Sequence, residues 1–233
     1  MKRKKILWLL IIGLLIAMLI AGAVLYMTAS QPDDKARQMQ QYRDAKMEQY
    51  RQENARFADY EVEVAFLGDS LTDLYDVEKY YPQYVTSNRG IGGDTTFDLE
   101  ERLQTSVYDL KPQVVVMLIG ANNVETMFDN YESILKGLKE NLPQTKVVLL
   151  SLTAMGGEVW GSRNPQAAYN NVTIELLAKK YGFYFIDLYS PLYDVSIREV
   201  YAGYTVDGGH FSDRGYEVIT ALITPVLQEL LGK

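Results

Sequence analysis

The 233-residue sequence contains no cysteine and a single histidine, His210. The first absence excludes disulfides, a thiol nucleophile and a thiolate metal centre. The second argues against the usual zinc and iron sites, which take two or more imidazoles. No metal and no cofactor is therefore expected. Positive charge is also scarce. Lys2, Arg3, Lys4 and Lys5 supply four of the basic residues, and the remainder carries 19 basic against 30 acidic residues, a net charge of −11. Such a body is a poor partner for nucleic acid and for anionic lipid surfaces. No phosphate loop Gly-Lys-Ser/Thr occurs. Gly90-Ile91-Gly92 opens like a dinucleotide fingerprint, but Thr95 stands at its last glycine position. There is no internal repeat and no low-complexity segment.

What is present begins with the N-terminus. The basic residues 2–5 precede an uncharged run from Ile6 to Met27. As a helix this run would be about 33 Å long, enough to cross a bilayer core. It predicts a transmembrane anchor with a cytoplasmic basic tail (1–5) and an external body. The alternative is a cleaved signal peptide, with Ala21-Gly22-Ala23 as the cut site. Residues 28–57 read as a linker and helical stalk. Lys35 to Phe57 has no Gly or Pro, and Met39, Tyr42, Met47, Tyr50 and Phe57 form only a loose apolar stripe without heptads. One domain is expected over 58–233.

Within that domain strands and helices alternate. Strands are predicted at Glu61–Leu67, Tyr84–Asn88, Gln113–Ile119, Lys146–Leu152 and Tyr184–Asp187. Helices are predicted at Thr95–Leu110, Asn130–Asn141, Asn164–Tyr181 and Ser212–Leu231. This βα alternation implies an α/β fold, a parallel sheet between two helical layers. The most informative stretch is Val64-Ala65-Phe66-Leu67-Gly68-Asp69-Ser70-Leu71-Thr72. Its apolar run suits a strand covered on both faces, and Ser70 follows at the carboxyl end, where open α/β sheets bind ligands.

A serine hydroxyl needs a base to become a nucleophile. His210 is the one ordinary candidate, and Asp207 lies three residues before it in Asp207-Gly208-Gly209-His210. A carboxylate there can fix the imidazole tautomer and stabilise its charged form. A tetrahedral adduct needs donors for its oxyanion. The N–H groups of Ser70 and Gly93 and the amide of Asn122 are suited to this, with Gly92 competing for the place of Gly93. The Gly-x-Ser-x-Gly elbow is not met, because Thr72 stands where its last glycine would be.

Four segments in order resemble the blocks of the SGNH hydrolases, the GDSL-type esterases and lipases. They are Gly68-Asp69-Ser70-Leu71, the turn ending Gly92-Gly93-Asp94, Gly120-Ala121-Asn122-Asn123, and Asp207-Gly208-Gly209-His210. The resemblance implies a flavodoxin-like three-layer α/β/α fold with a five-stranded parallel sheet in the order 2-1-3-4-5. It also implies metal-independent ester hydrolysis by Ser70, His210 and Asp207, with an oxyanion hole of Ser70, Gly93 and Asn122. One departure is visible: the family's third block usually ends in Asp, and here Asn123 stands there.

Asp69 is expected to brace the turn, Asp94 and Thr95 to cap a helix, and Arg89 to lie in solvent. Leu74, Tyr75, Val124, Met127, Phe128 and Trp160 are candidates to line an acyl pocket, and Thr153–Pro165 a candidate lid. The expected substrate is a small-molecule or polymer-linked acyl ester outside the cytoplasm: an O-acyl group of a carbohydrate, a wall polymer or a lipid. The alternatives are a catalytically silent surface domain that binds glycan or protein, and an acyltransferase using the same triad.

Overall fold

A computed structural model describes the backbone of residues 2–233 and the side chains of Trp8, residues 12–22 and residues 34–233. Helix α1 spans Lys2–Asn54. The predicted span 6–27 falls in part on side chains outside the described residues, those of 6, 7, 9–11 and 23–27. Among the described residues no helix is long and apolar enough to cross a membrane. Two compact units are present, 1–46 and Met47–Lys233. The second therefore begins before the predicted boundary at 58. The reason is Tyr50, which is fully buried and donates its hydroxyl to the Gly90 carbonyl at 2.6 Å. Asn54 likewise donates to Thr105 O at 2.7 Å.

In the second unit, five parallel strands form a sheet in the order β2-β1-β3-β4-β5. They are β1 (Val64–Gly68), β2 (Thr86–Gly90), β3 (Val114–Leu118), β4 (Lys146–Leu150) and β5 (Tyr184–Ile186). Each strand of the centre buries alternate residues into different cores, as period-2 geometry requires. In β1, Ala65 and Leu67 join the core formed with Leu99, Ile134, Leu138 and Ile174. Val64 and Phe66 join the opposite one, with Ile219, Ile223 and Leu227. The first face is covered by α4 (Thr96–Glu101), α5 (Tyr131–Asn141), the short α6 (Gly157–Trp160) and α7 (Asn164–Tyr181). The second is covered by α9 (Asp213–Leu231) with the short α2 (Ser70–Asp73), α3 (Val77–Tyr80) and α8 (Tyr189–Leu192).

Several elements depart from the sequence reading, among them β1, which begins at Val64 rather than Glu61, and the short α2 and α3, which were not predicted. β2 lies two residues later than predicted, because its parallel register with β1 runs through to Gly68 opposite Gly90. The helix expected over 95–110 stops at Glu101 and resumes as a π turn, Gln104–Tyr108. A two-stranded hairpin, Tyr193–Asp194 with Glu199–Val200, was not foreseen. Its turn carries no glycine; the positive φ of 59° falls on Arg198. Arg89 is fully buried rather than solvated. It lies over the Tyr50 ring at 4.7 Å, donates to Ser87 Oγ at 2.7 Å and pairs with Glu53 at 3.4 Å.

Candidate active site

Ser70 opens α2 immediately after β1. Gly68 is required before it: a Cβ there would stand 2.2 Å from the Leu118 carbonyl and 2.3 Å from Thr72 Oγ1. Asp69 caps α2, its Oδ1 accepting from the Leu71 N–H at 3.0 Å. That is the bracing role expected of it.

The loop before α9 brings Asp207 and His210 to the same point. Ser70 Oγ lies 3.0 Å from His210 Nε2, and His210 Nδ1 lies 2.8 Å from Asp207 Oδ2. The other oxygen of Asp207 accepts the N–H groups of Gly209 (2.9 Å) and His210 (2.7 Å). Burial opposes the charge of this carboxylate. The His210 N–H, the His210 ring and the Gly209 N–H outweigh it and hold the group down to about 2. The loop depends on Gly208, whose φ is +90° and whose Cβ would meet the Gly156 carbonyl at 2.0 Å.

Of the three predicted oxyanion donors, Gly93 and Asn122 lie on segments that are joined to each other. Asn122 donates to the Asp94 carbonyl at 2.9 Å and lines the cleft beside Ser70. The Gly92 N–H is engaged by Asp73 Oδ2 at 3.1 Å, which removes the competitor of Gly93. Asn123, the departure from the family pattern, keeps a structural task. It accepts from the Thr96 N–H (3.2 Å) and donates to Thr96 Oγ1 (2.9 Å), tying the 121–123 turn to the start of α4. The cap of α4 is Thr95, in a reciprocal box with Asp98. Asp94 is instead paired with buried Arg102 at 2.6 Å.

The cleft above Ser70 is small and open to solvent. Of the six predicted pocket residues, Trp160 alone lines it. Its ring stands edge-on to His210, with centroids 5.7 Å apart. Tyr75, Val124 and Met127 are buried in the cores, Leu74 is exposed, and Phe128 packs on Tyr131. Tyr75 was misplaced because the turn after Ser70 sends it into an aromatic cluster with Phe66, Tyr81 and Tyr216. The walls are Leu71, Ala121, Thr153, Met155 and Gly209. Thr153, Met155 and Trp160 all come from the predicted lid. That segment is tied down, however. Gly156 N–H donates to Gly208 O (2.8 Å), Gly157 N–H to Glu199 (3.0 Å), and Asn164 bonds both main-chain groups of Met155.

Asp69 also borders this cleft. Its Oδ2 is buried without a hydrogen-bond partner among the described residues. Burial first, and the charge of Asp94 after it, push this carboxyl up to about 7, against the Leu71 N–H, His210 and Arg102. The folded state therefore holds this proton where the unfolded chain has released it. Its contribution to stability is complete below about pH 4 and is lost as pH rises through 7. Asp69→Asn keeps an oxygen for Leu71 and removes the titration. Urea unfolding of both proteins from pH 4 to 8 should show wild type losing stability relative to the variant, with no further divergence above pH 8. A constant difference would contradict the raised carboxyl.

A family model described as the GDSL-like lipase/acylhydrolase family matches residues 66–218. The chain belongs to that family. The match runs from β1 into α9 and so includes each of the four motif segments. Over 140 residues this GDSL-like chain is 31% identical to platelet-activating factor acetylhydrolase IB subunit alpha2 of Rattus norvegicus. The similarity covers 56% of this chain and 61% of that one, so the chain spans less than two thirds of that relative's length. A GDSL-like lipase from Bacteroides thetaiotaomicron superposes with a TM-score of 0.69 at 26% identity, covering 78% of this chain and 97% of the other. An acetylxylan esterase from Geobacillus stearothermophilus shares the fold, with a TM-score of 0.59 at 19% identity, covering 72% and 95%.

Arg102, whose guanidinium pairs with Asp94, was not singled out in the sequence. It lies between Leu99 and Leu103, where the helical pattern calls for an apolar side chain. A charged residue in that stripe is the signal by which the sequence offered it.

Proposed function

We propose that this protein is a serine esterase that cleaves small or medium acyl esters through Ser70, His210 and Asp207. The observation that carries the reading is the continuous chain from Ser70 Oγ through the His210 ring to Asp207, 3.0 and 2.8 Å long. Ser70 Oγ attacks the acyl carbon while His210 Nε2 takes the hydroxyl proton. The ionised Asp207 holds the ring by Nδ1–H and stabilises the imidazolium. The oxyanion is received by the N–H groups of Ser70 and Gly93 and by the Asn122 amide, donors worth about 3–4 kcal/mol each in the transition state. Collapse breaks the bond to the alcohol oxygen, which leaves with the proton from His210. Water, deprotonated by the same nitrogen, then releases the acid from Ser70.

The small cleft supports a short acyl group. So do the names of the two relatives above that specify a substrate, an acetylhydrolase and an acetylxylan esterase. The apolar run 6–27 supports an anchor that holds the domain outside the cytoplasm, where O-acyl groups of carbohydrates, wall polymers and lipids are accessible.

A fluorophosphonate probe separates this reading from a silent binding domain. Stoichiometric labelling at Ser70, located by peptide mass spectrometry, is the expected result. An unlabelled folded chain would overturn the proposal.

A further inference from the structure

Beneath the cleft lies a charged group that the reaction above does not use. Arg102 is 3% exposed and sits just past the end of α4. Its guanidinium serves four acceptors. Nε donates to Asp94 Oδ2 (2.6 Å), one terminal nitrogen to Gly68 O (2.8 Å), and the other to Arg89 O (2.9 Å) and Ser106 Oγ (2.8 Å). Gly68 ends β1, two residues before Ser70. Arg89 is in β2, at the entry to the turn that carries Gly93. Asp94 follows Gly93 directly, and its carbonyl receives the Asn122 amide at 2.9 Å. The Ile91 N–H also donates to Gly68 O, at 3.1 Å, so the strand end and the glycine turn share one acceptor with the guanidinium.

We propose that Arg102 is a positioning residue for the oxyanion site, one guanidinium joining the segments that carry its three donors. The inference rests on Ser70 being the nucleophile. Ser70 N–H and Gly93 N–H are main-chain donors on two different segments, and both lie beyond the last paired residues of β1 and β2, Gly68 and Gly90. Arg102 bonds both, and Asp94 extends the connection to Asn122. Oxyanion donors act only when held within a few tenths of an ångström of the developing charge. A planar, permanently charged fork is the side chain that can bond several divergent acceptors rigidly. Lysine, a single flexible ammonium, cannot reproduce it.

The test compares Arg102→Ala and Arg102→Lys with wild type in the full chain, using p-nitrophenyl acetate. A positioning role predicts that kcat falls about 10²-fold or more, the scale of a lost oxyanion donor, while KM changes less than about threefold, since ground-state binding is not the target. Affinity for phenylboronic acid, which forms a tetrahedral adduct on the serine, should fall in parallel with kcat. Millimolar guanidinium should restore part of the kcat of Arg102→Ala. A folded Arg102→Ala or Arg102→Lys with kcat within threefold of wild type overturns the proposal. So does an activity loss that follows only the unfolded fraction. If Arg102→Ala does not fold, Asp94→Asn decides on the same criteria, because it weakens the link to Arg102 and keeps the carbonyl that holds Asn122. Absence of turnover and labelling in wild type would instead refute the esterase reading itself.

Discussion

Replacing Ser70 by alanine should lower kcat for p-nitrophenyl acetate by roughly 10⁶-fold, to the residual rate that binding and oxyanion donors alone sustain. The size of the effect follows from the chemistry: with no Oγ there is no acyl-enzyme, and water would have to attack unaided. The fold should not suffer. The Ser70 hydroxyl bonds His210 and supports no main-chain group, while α2 is capped by Asp69. Melting temperature and circular dichroism should match wild type. Turnover undiminished in Ser70→Ala would remove Ser70 from the mechanism. Loss of turnover accompanied by unfolding would contradict the separation between site and scaffold described above.

The second large effect is expected of Asp207→Asn, about 10⁴-fold in kcat. Its two oxygens have separate tasks. Oδ1 receives the Gly209 and His210 N–H groups and so shapes the loop, whereas Oδ2 receives the ring. Asparagine keeps an oxygen for the loop and turns an NH₂ toward Nδ1. The imidazole must then accept there and carry its proton on Nε2, where it can no longer take one from Ser70 3.0 Å away. The substitution therefore reverses the tautomer without dismantling the loop. The proton balance gives an independent check. Because Asp207 is held down to about 2, its contribution to stability is present above the ordinary carboxylate range and is lost as pH falls from about 4 toward 2. Acid unfolding should thus be steeper for wild type than for Asp207→Asn in that window. Equal kcat in the two proteins would show that the ring needs no carboxylate.

Pairing along β2 is a small case of how far local signals reach. Tyr84 and Val85 read as the start of the strand, yet the ladder is set by its partner, β1, whose last residue Gly68 faces Gly90. The pocket is a larger case. Five of the six candidates were chosen as neighbours in sequence of the first and third motifs, and after each of these the chain turns sharply. Tyr75, Val124 and Met127 accordingly enter the cores, while Thr153 and Met155, reached from β4, form the wall. Arg89 was assigned to solvent by default, since no role for it was evident in the sequence. Burial became possible through Tyr50 and Glu53, which are distant in sequence and supply the ring and carboxylate that a buried guanidinium needs.

By itself, then, the sequence determined the strand–helix alternation, the parallel sheet and the four motif segments. These are local: apolar runs, helix stops and turn glycines act within a few residues, and the order of motifs is written along the chain. The tertiary structure alone decided the start of the domain at Met47, the wall of the cleft, the latching of 156–164 and the clamp of Arg102 on Gly68, Arg89 and Asp94. Each depends on contacts between segments tens of residues apart, and such contacts have no period in sequence. They follow from which strand ends the sheet brings side by side.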